Sequence, residues 1–283
     1  MRHNPDVRTD TLTSYQERMG RVLVHIQAHL DEPMPLEQLA DVASFSPWHF
    51  HRIFRGMVGE SVKEHVRRLR LERAAQRLKT TDRPVLDIAL EAGYETHESF
   101  TRAFAAMFEE SPSSFRAGVA RPMASAGPPL DVSIRSIGPI RIAFVRYTGP
   151  FDQVGAAWNK LMMWAGPRGL IGPGVRMLGI VLDDPEITAP EKLRYDAAMV
   201  VKDDIGASGE VGIQEIAPGE YAVALHVGPY TTLGRTYSRM CGEWLPASGR
   251  ELPSAPSIEF YLNSPMMVPP EQLRTEICLP LGE

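Results

Sequence analysis

The 283-residue sequence predicts two domains of different class. The first is all-α, built from two helix-turn-helix units. The second is α+β and duplicated within itself around a concave antiparallel sheet. Three observations carry that prediction. From Tyr15 to Arg116 apolar residues recur at helical spacing, and a helix, tight turn, helix order occurs twice. Gly118 to Leu130 is rich in Gly, Pro, Ala and Ser, lacks periodicity and reads as a linker. Beyond it the pattern changes to short strands, and one order of residues appears a second time. The domains expected are 14–117, a linker 118–130 and 131–283, the last with repeats at about 131–202 and 211–281.

An apolar content of 43% and a charged content of 23% are ordinary for globular chains. No apolar run reaches a membrane span and no secretory signal opens the chain, so no membrane partner is expected. Met1 to Thr13 is polar and reads as loose. Cys241 and Cys278 have neither disulfide-framework nor metal spacing, which fits a reducing cytoplasm. The net charge of −5 does not advertise a nucleic-acid binder. Residues 1–121 carry 17 Lys+Arg against 17 Asp+Glu, and the rest 13 against 18. Affinity for nucleic acid in the first part must therefore come from placed residues and local basic patches, not bulk attraction.

The elements follow in order. Met19, Val22, Leu23, Ile26 and Leu30 share one face of a helix from Tyr15 to Leu30, which Pro33 and Pro35 end. Leu36 to Ala43 is a short helix and Ser44 to Ser46 a turn. Ser46 caps a helix over Pro47 to Val58, with proline at its first position. That helix buries Phe50, Ile53, Phe54 and Met57 and leaves Trp48, His49, His51, Arg52 and Arg55 on other faces. Gly59 ends it. The second unit repeats the plan. Val85, Ile88 and Ala89 form an apolar face, Gly93 stops the helix, and Thr96 caps the next. Phe100, Ala103, Phe104, Met107 and Phe108 are its buried side; His97, Glu98, Ser99 and Arg102 are its outer side. A second helix with a polar outer face is what a groove reader needs. His49 and His51 stand two apart, which is wrong for a metal pair on one helix face, so no metal is expected.

Between the units a helix runs from Val62 to Lys79. From Lys63 to Arg83 there are eight Lys/Arg against three Asp/Glu, a run that reads either as a solvated face or as a phosphate-touching connector. Recognition helices in successive major grooves stand about 34 Å apart, and an ~18-residue helix spans about 27 Å, so the lengths are compatible. Together these residues resemble the AraC/XylS family DNA-binding domain, in the branch with that domain at the N-terminus (MarA, SoxS and Rob type). Ile88-Ala89, Gly93-Tyr94, Ser99-Phe100, Arg102-Ala103-Phe104 and Ser111-Pro112 all fall in register with it. The resemblance implies groove-facing Trp48, His49, His51 and Arg52 in the first unit, and His97, Glu98, Ser99 and Arg102 in the second. Arg102 suits a bidentate pair with a guanine.

In the C-terminal half Asp131 to Arg135, Ile140 to Tyr147, Val175 to Leu182 and Arg194 to Lys202 are strand-like, and Phe151 to Trp164 is helical. Val132, Ile134, Ile137, Pro139, Ala143, Gly149 and Pro150 recur 79 residues later as Val211, Ile213, Ile216, Pro218, Ala222, Gly228 and Pro229. Pro190 to Arg194 recurs 80 later as Pro270 to Arg274. Two such halves pack about a pseudo-twofold axis, with a ligand cleft at their junction. Strand parity sets Glu259 and Tyr261 opposite Ile258, Phe260 and Leu262, and Glu276 opposite Ile277 and Leu279. With helices over the apolar face, Glu259, Tyr261 and Glu276 face the other, concave side. Glu259 corresponds to Gly179, so the cleft is asymmetric. A buried carboxylate among aromatics, with Tyr147, Tyr230 and Trp244 as candidates, suits a lipophilic cation.

Gly149-Pro150-Phe151, Gly228-Pro229-Tyr230, Leu193 to Ala197, Glu259-Phe260-Tyr261 and Arg274 to Ile277 resemble the GyrI-like, BmrR-type small-molecule-binding domain. That resemblance implies a central glutamate, carried here by Glu259 and secondly by Glu276. The function expected is a DNA-binding transcription regulator that senses a small, lipophilic or cationic effector. Its partners are promoter double-stranded DNA and that effector; RNA polymerase is left open as a further partner. No cofactor and no catalytic residue are expected. The alternatives are a hydrolase using Glu259 or Glu276 with Tyr261, or a drug-sequestering module.

Overall fold

The computed structural model describes residues 5–118, 130–253 and 255–282. The chain divides into two compact units: residues up to Gly118 with Gly206–Gly212, and the remainder. The expected linker lies almost wholly outside the described residues. Among those residues no helix is long and apolar enough to cross a membrane.

The first unit is helical: α1 (Pro5–Ala28), α2 (Leu36–Val42), α3 (Pro47–Val58), α4 (Val62–Thr80), α5 (Val85–Glu91), α6 (His97–Phe108) and α7 (Pro112–Gly118). Helix α1 starts well before the expected Tyr15, which corrects the reading of Met1 to Thr13 as loose from Pro5 on; Met1 to Asn4 lie outside the described residues. Proline suits a first helical position. Phe50, Phe54, Phe100 and Phe104 are fully buried anchors of α3 and α6. Met57, expected in that core, is exposed. The two turns start alike, though the second is one residue longer, 92–96 against 43–46. Phe45 N donates to Ala40 O, and Tyr94 N to Ala89 O. Each turn holds a left-handed residue, Ser44 (φ 53°) in the first and Gly93 (φ 83°) in the second.

Helix α4 opens with a capping box in which Ser61 and Glu64 satisfy each other's backbone N–H. Most of its basic run turns inward, while Lys63 and Arg67 stay exposed. Arg68 binds Glu60 and Glu72. Arg70 donates to Leu30 O and Glu32 O, so it ties α4 to the turn that follows α1. Arg73 meets Asp31, and Arg77 and Arg83 share Glu91. These arginines clamp the two helix-turn-helix units onto α4, which corrects both earlier readings of them as solvated or phosphate-touching.

The second unit is one antiparallel sheet with helices. Its elements are β1 (Val132–Ile137), β2 (Ile140–Thr148), α8 (Gly155–Ala165), β3 (Met177–Val181), β4 (Arg194–Val200), β5 (Val211–Ile216), β6 (Gly219–Val227), α9 (Leu233–Arg239), α10 (Leu245–Ser248), β7 (Ser257–Tyr261) and β8 (Arg274–Pro280). The strand order β1-β6-β8-β7-β3-β4-β2-β5 reads the same when the repeats are exchanged and the order reversed. It is a pseudo-twofold arrangement in which each repeat lends its first strand to the other's edge. At the central pair, Gly179 stands directly opposite Glu259, its own counterpart 80 residues on, so the axis passes between them. The loops repeat as well. Gly149 N donates to Leu193 O, and Gly228 N to Leu273 O. Asp183 accepts from Arg194 N, and Asn263 from Arg274 N. A π-helical turn over Met240–Trp244 joins α9 to α10. It holds the one extra residue that changes the repeat offset from 79 to 80.

Candidate functional site

Each unit presents one candidate surface. In the helical unit Trp48, His49, His51, Arg52, His97, Glu98 and Arg102 are exposed, with Trp48 at 71%. The Arg52 guanidinium lies 5.9 Å from the Trp48 ring centroid. The Ser46 hydroxyl does not cap α3; it lies 3.0 Å from His49 Nδ1. Thr96 does cap α6, accepting from Ser99 N at 3.1 Å. Ser99 is half-buried and its hydroxyl donates to Thr96 O at 2.9 Å, so that side chain belongs to the helix cap. The outer faces of α3 and α6 thus rest on buried phenylalanines and carry cations, imidazoles and one indole.

In the sheet unit Glu259 is 5% exposed. It accepts from the Tyr261 hydroxyl at 2.6 Å and the Tyr237 hydroxyl at 3.0 Å. The Tyr195 and Tyr261 hydroxyls meet at 2.7 Å. Both lie over Gly179, where a Cβ would stand 2.4 Å from the Tyr195 hydroxyl and 2.7 Å from that of Tyr261. Glycine is required there by space. The Trp158 and Tyr230 rings pack edge-on against Tyr261, and Phe151 edge-on against Tyr195. Burial pushes the Glu259 carboxyl above its ordinary value, only partly offset by the hydrogen bonds from Tyr261 and Tyr237. Burial, with the Glu259 charge nearby, also holds the Tyr195, Tyr237 and Tyr261 phenols well above theirs. A dry carboxylate walled by aromatic rings can receive a cation, through charge pairing and the ring faces.

Two expectations fail here. Helices α8 and α9 lie over the face that holds Glu259, as the Trp158 and Tyr237 contacts require, not over the opposite one. Glu276 lies on the other face. Cross-strand register pairs Glu259 with Ile277, and Phe260 with Glu276. Neighbouring side chains in a pair point the same way, so Glu276 shares the face of Phe260 and ion-pairs with Arg135 at 2.8 Å. Parity within one strand does not say which faces adjoin in the next.

The aromatic candidates divide. Tyr230 reaches the Glu259 group through Tyr261. Tyr147 pairs with Tyr195 on the same face, its hydroxyl turned toward Gly149. Trp244 packs with the hydrophobic cluster of Ala222, Ala224, Met240 and Leu245, which Tyr237 also joins. Trp158, Tyr195 and Tyr237 were missed. The signal for two of them was present, since Trp158 and Tyr237 are aromatic counterparts 79 residues apart.

Comparison with known proteins bears on both surfaces. Residues 130–281 match the GyrI-like small molecule binding domain, and residues 39–118 a helix-turn-helix domain. Transcriptional regulator Rob of Salmonella typhimurium is 37% identical over 95 residues, 34% of this chain and 33% of its own. Regulatory protein SoxS of the same organism is 34% identical over 103 residues, 36% of this chain and 96% of its own. The chain thus spans about a third of the length of the Rob-type relatives it matches. The crystal structure of the EcmrR C-terminal domain aligns at 18% identity and a TM-score of 0.45, over 54% of this chain and 98% of that one.

Proposed function

We propose a function from the premise that this chain belongs to the family of GyrI-like small molecule binding domains and, at its N-terminal end, to that of the regulatory protein SoxS. The function is sequence-specific DNA binding by a cytoplasmic transcription regulator switched by a small cationic effector. One observation carries this reading. A single chain holds two phenylalanine-anchored helices with exposed polar faces, and also a buried carboxylate walled by tyrosines.

In this reading α3 and α6 enter the major groove. Arg52 and Arg102 read base edges, with Trp48, His49, His51, His97 and Glu98 around them, and promoter DNA brings RNA polymerase as a further partner. Ser99 contributes by fixing the start of α6. In the second unit Glu259 carries the charge that a cation seeks, and Tyr195, Tyr230, Tyr237, Tyr261 and Trp158 supply the walls. The effector acts on transcription only if it interacts differently with the DNA-competent and incompetent states.

The test of the DNA reading is a mobility-shift titration at fixed salt. Arg102→Ala is expected to cost about 1–3 kcal/mol of specific binding and to leave non-specific binding nearly unchanged. Equal loss on both kinds of DNA defeats the assignment. The contact of Glu259 with Tyr261 at 2.6 Å also has the make-up of an acid/base pair. The alternative is therefore hydrolysis of a bound electrophile. Recovery of unchanged ligand after incubation is the expected result, and a hydrolysis product supports the alternative.

A further inference from the structure

A duplicated sheet supplies a comparison for each of its positions. Over Gly179 the Tyr195 hydroxyl donates to that of Tyr261, whose own proton goes to Glu259. Adding or subtracting 80 turns Tyr195 into Thr275, Tyr261 into Val181 and Gly179 into Glu259. The twofold-related pair is therefore a threonine and a valine, and valine has no polar atom to offer. Thr275 is fully buried, and its hydroxyl has no hydrogen-bond partner. A buried hydroxyl left unmet costs roughly 1–3 kcal/mol, and such a group calls for an explanation.

Its surroundings supply one. Thr275 pairs with Tyr261 on β7 and with His226 on β6, so it faces the Glu259 side of the sheet. His226 is already engaged. Its Nδ1 lies 2.8 Å from Thr236 Oγ1 and its Nε2 3.1 Å from Thr232 Oγ1. The first-repeat counterparts of His226, Thr236 and Thr275 are Tyr147, Ala157 and Tyr195. At these three positions the second repeat is polar where the first has two tyrosines and an alanine. Glu259 and Thr275 are diagonal neighbours across β7 and β8, and such side chains stand roughly 7–8 Å apart.

We propose that Thr275 is a specificity-determining residue of the cleft: its hydroxyl bonds a hydroxyl or carbonyl group of the effector whose positive centre sits at Glu259. The effector class is then a lipophilic cation with a hydrogen-bonding group at the far end of one aromatic ring. This rests on Glu259 as the cation site.

The test uses the full chain and two probes, trimethylphenethylammonium and its ring-hydroxylated analogue N,N,N-trimethyltyramine, titrated by tryptophan fluorescence. The wild type is expected to prefer the hydroxylated cation about three- to tenfold, the worth of one hydrogen bond. Thr275→Val abolishes that preference without weakening the plain cation, and Thr275→Ser restores it. Equal affinity for both probes in the wild type overturns the proposal. So does a preference that survives Thr275→Val, or a Thr275→Val loss that is the same for both probes. If Thr275→Val abolishes the preference while Glu259→Gln leaves both affinities untouched, the hydroxyl site stands and the cation reading falls. If neither cation binds the wild type, both fall.

Discussion

The paired helix-turn-helix units and the paired halves of the sheet are both duplications, and they have diverged in opposite ways. In the helical unit both copies keep the same opening of the turn and the same phenylalanine anchors. They differ on the outer face, with Trp48, His49, His51 and Arg52 in one copy and His97, Glu98 and Arg102 in the other. In the sheet unit the edges and loops are alike, and the difference falls at the centre, where Gly179 faces Glu259. In the proposed function, copies that each read their own stretch of DNA need equal frames and unequal faces. Halves that together hold one cation need a single carboxylate, because a second on the axis would repel the first in a buried site.

The largest expected effect on stability breaks the central asymmetry. In Gly179→Ala the new Cβ meets both the Tyr195 and Tyr261 hydroxyls. Both rings must shift, at a cost of about 1–3 kcal/mol, read as a lower denaturant midpoint together with weaker cation binding. A wild-type midpoint would mean that the tyrosine pair does not need the glycine. Gly93→Ala comes next. It forces a side chain into a left-handed turn and against Arg70 Nη1, 2.8 Å away, for about 1–2 kcal/mol. Ser44→Gly at the matching turn relieves the same kind of strain and is expected to raise stability by up to about 1 kcal/mol. A lower melting temperature for Ser44→Gly would break the likeness between the turns.

The smallest effect is a slope with pH. The folded-state pKa of Glu259 lies above its ordinary value of 4.5. The native state therefore keeps a proton that the unfolded chain has already lost. The stability this contributes is fully present below the ordinary value and is lost as pH rises through the raised one. Glu259→Gln should remove that part of the slope in denaturation measured across pH. An unchanged slope would place the titration elsewhere.

Much of this architecture was legible in the sequence, for physical reasons that also mark where legibility ends. Helical spacing, Gly93 and Pro47 set α3, α5 and α6 almost to the residue. The 79- and 80-residue recurrences announced the twofold sheet and the partnership of Gly179 with Glu259. Cross-strand register was not legible, because alternation within β8 does not reveal whether Glu276 adjoins Glu259 or Phe260. Nor was the inward turn of Arg68, Arg70, Arg73 and Arg77, since their partners lie in other elements. Trp158 and Tyr237 were within reach of the repeat, had it been followed into its helices.

In the proposed function an ionised Glu259, buried on the axis, holds a cation. The most direct measurement of this is the affinity of trimethylphenethylammonium for the wild type and for Glu259→Gln across pH. Wild-type affinity is expected to climb as pH rises through the raised pKa of Glu259. The variant should bind about 2–5 kcal/mol more weakly with no such climb. The same affinity and the same pH profile in both proteins would contradict it.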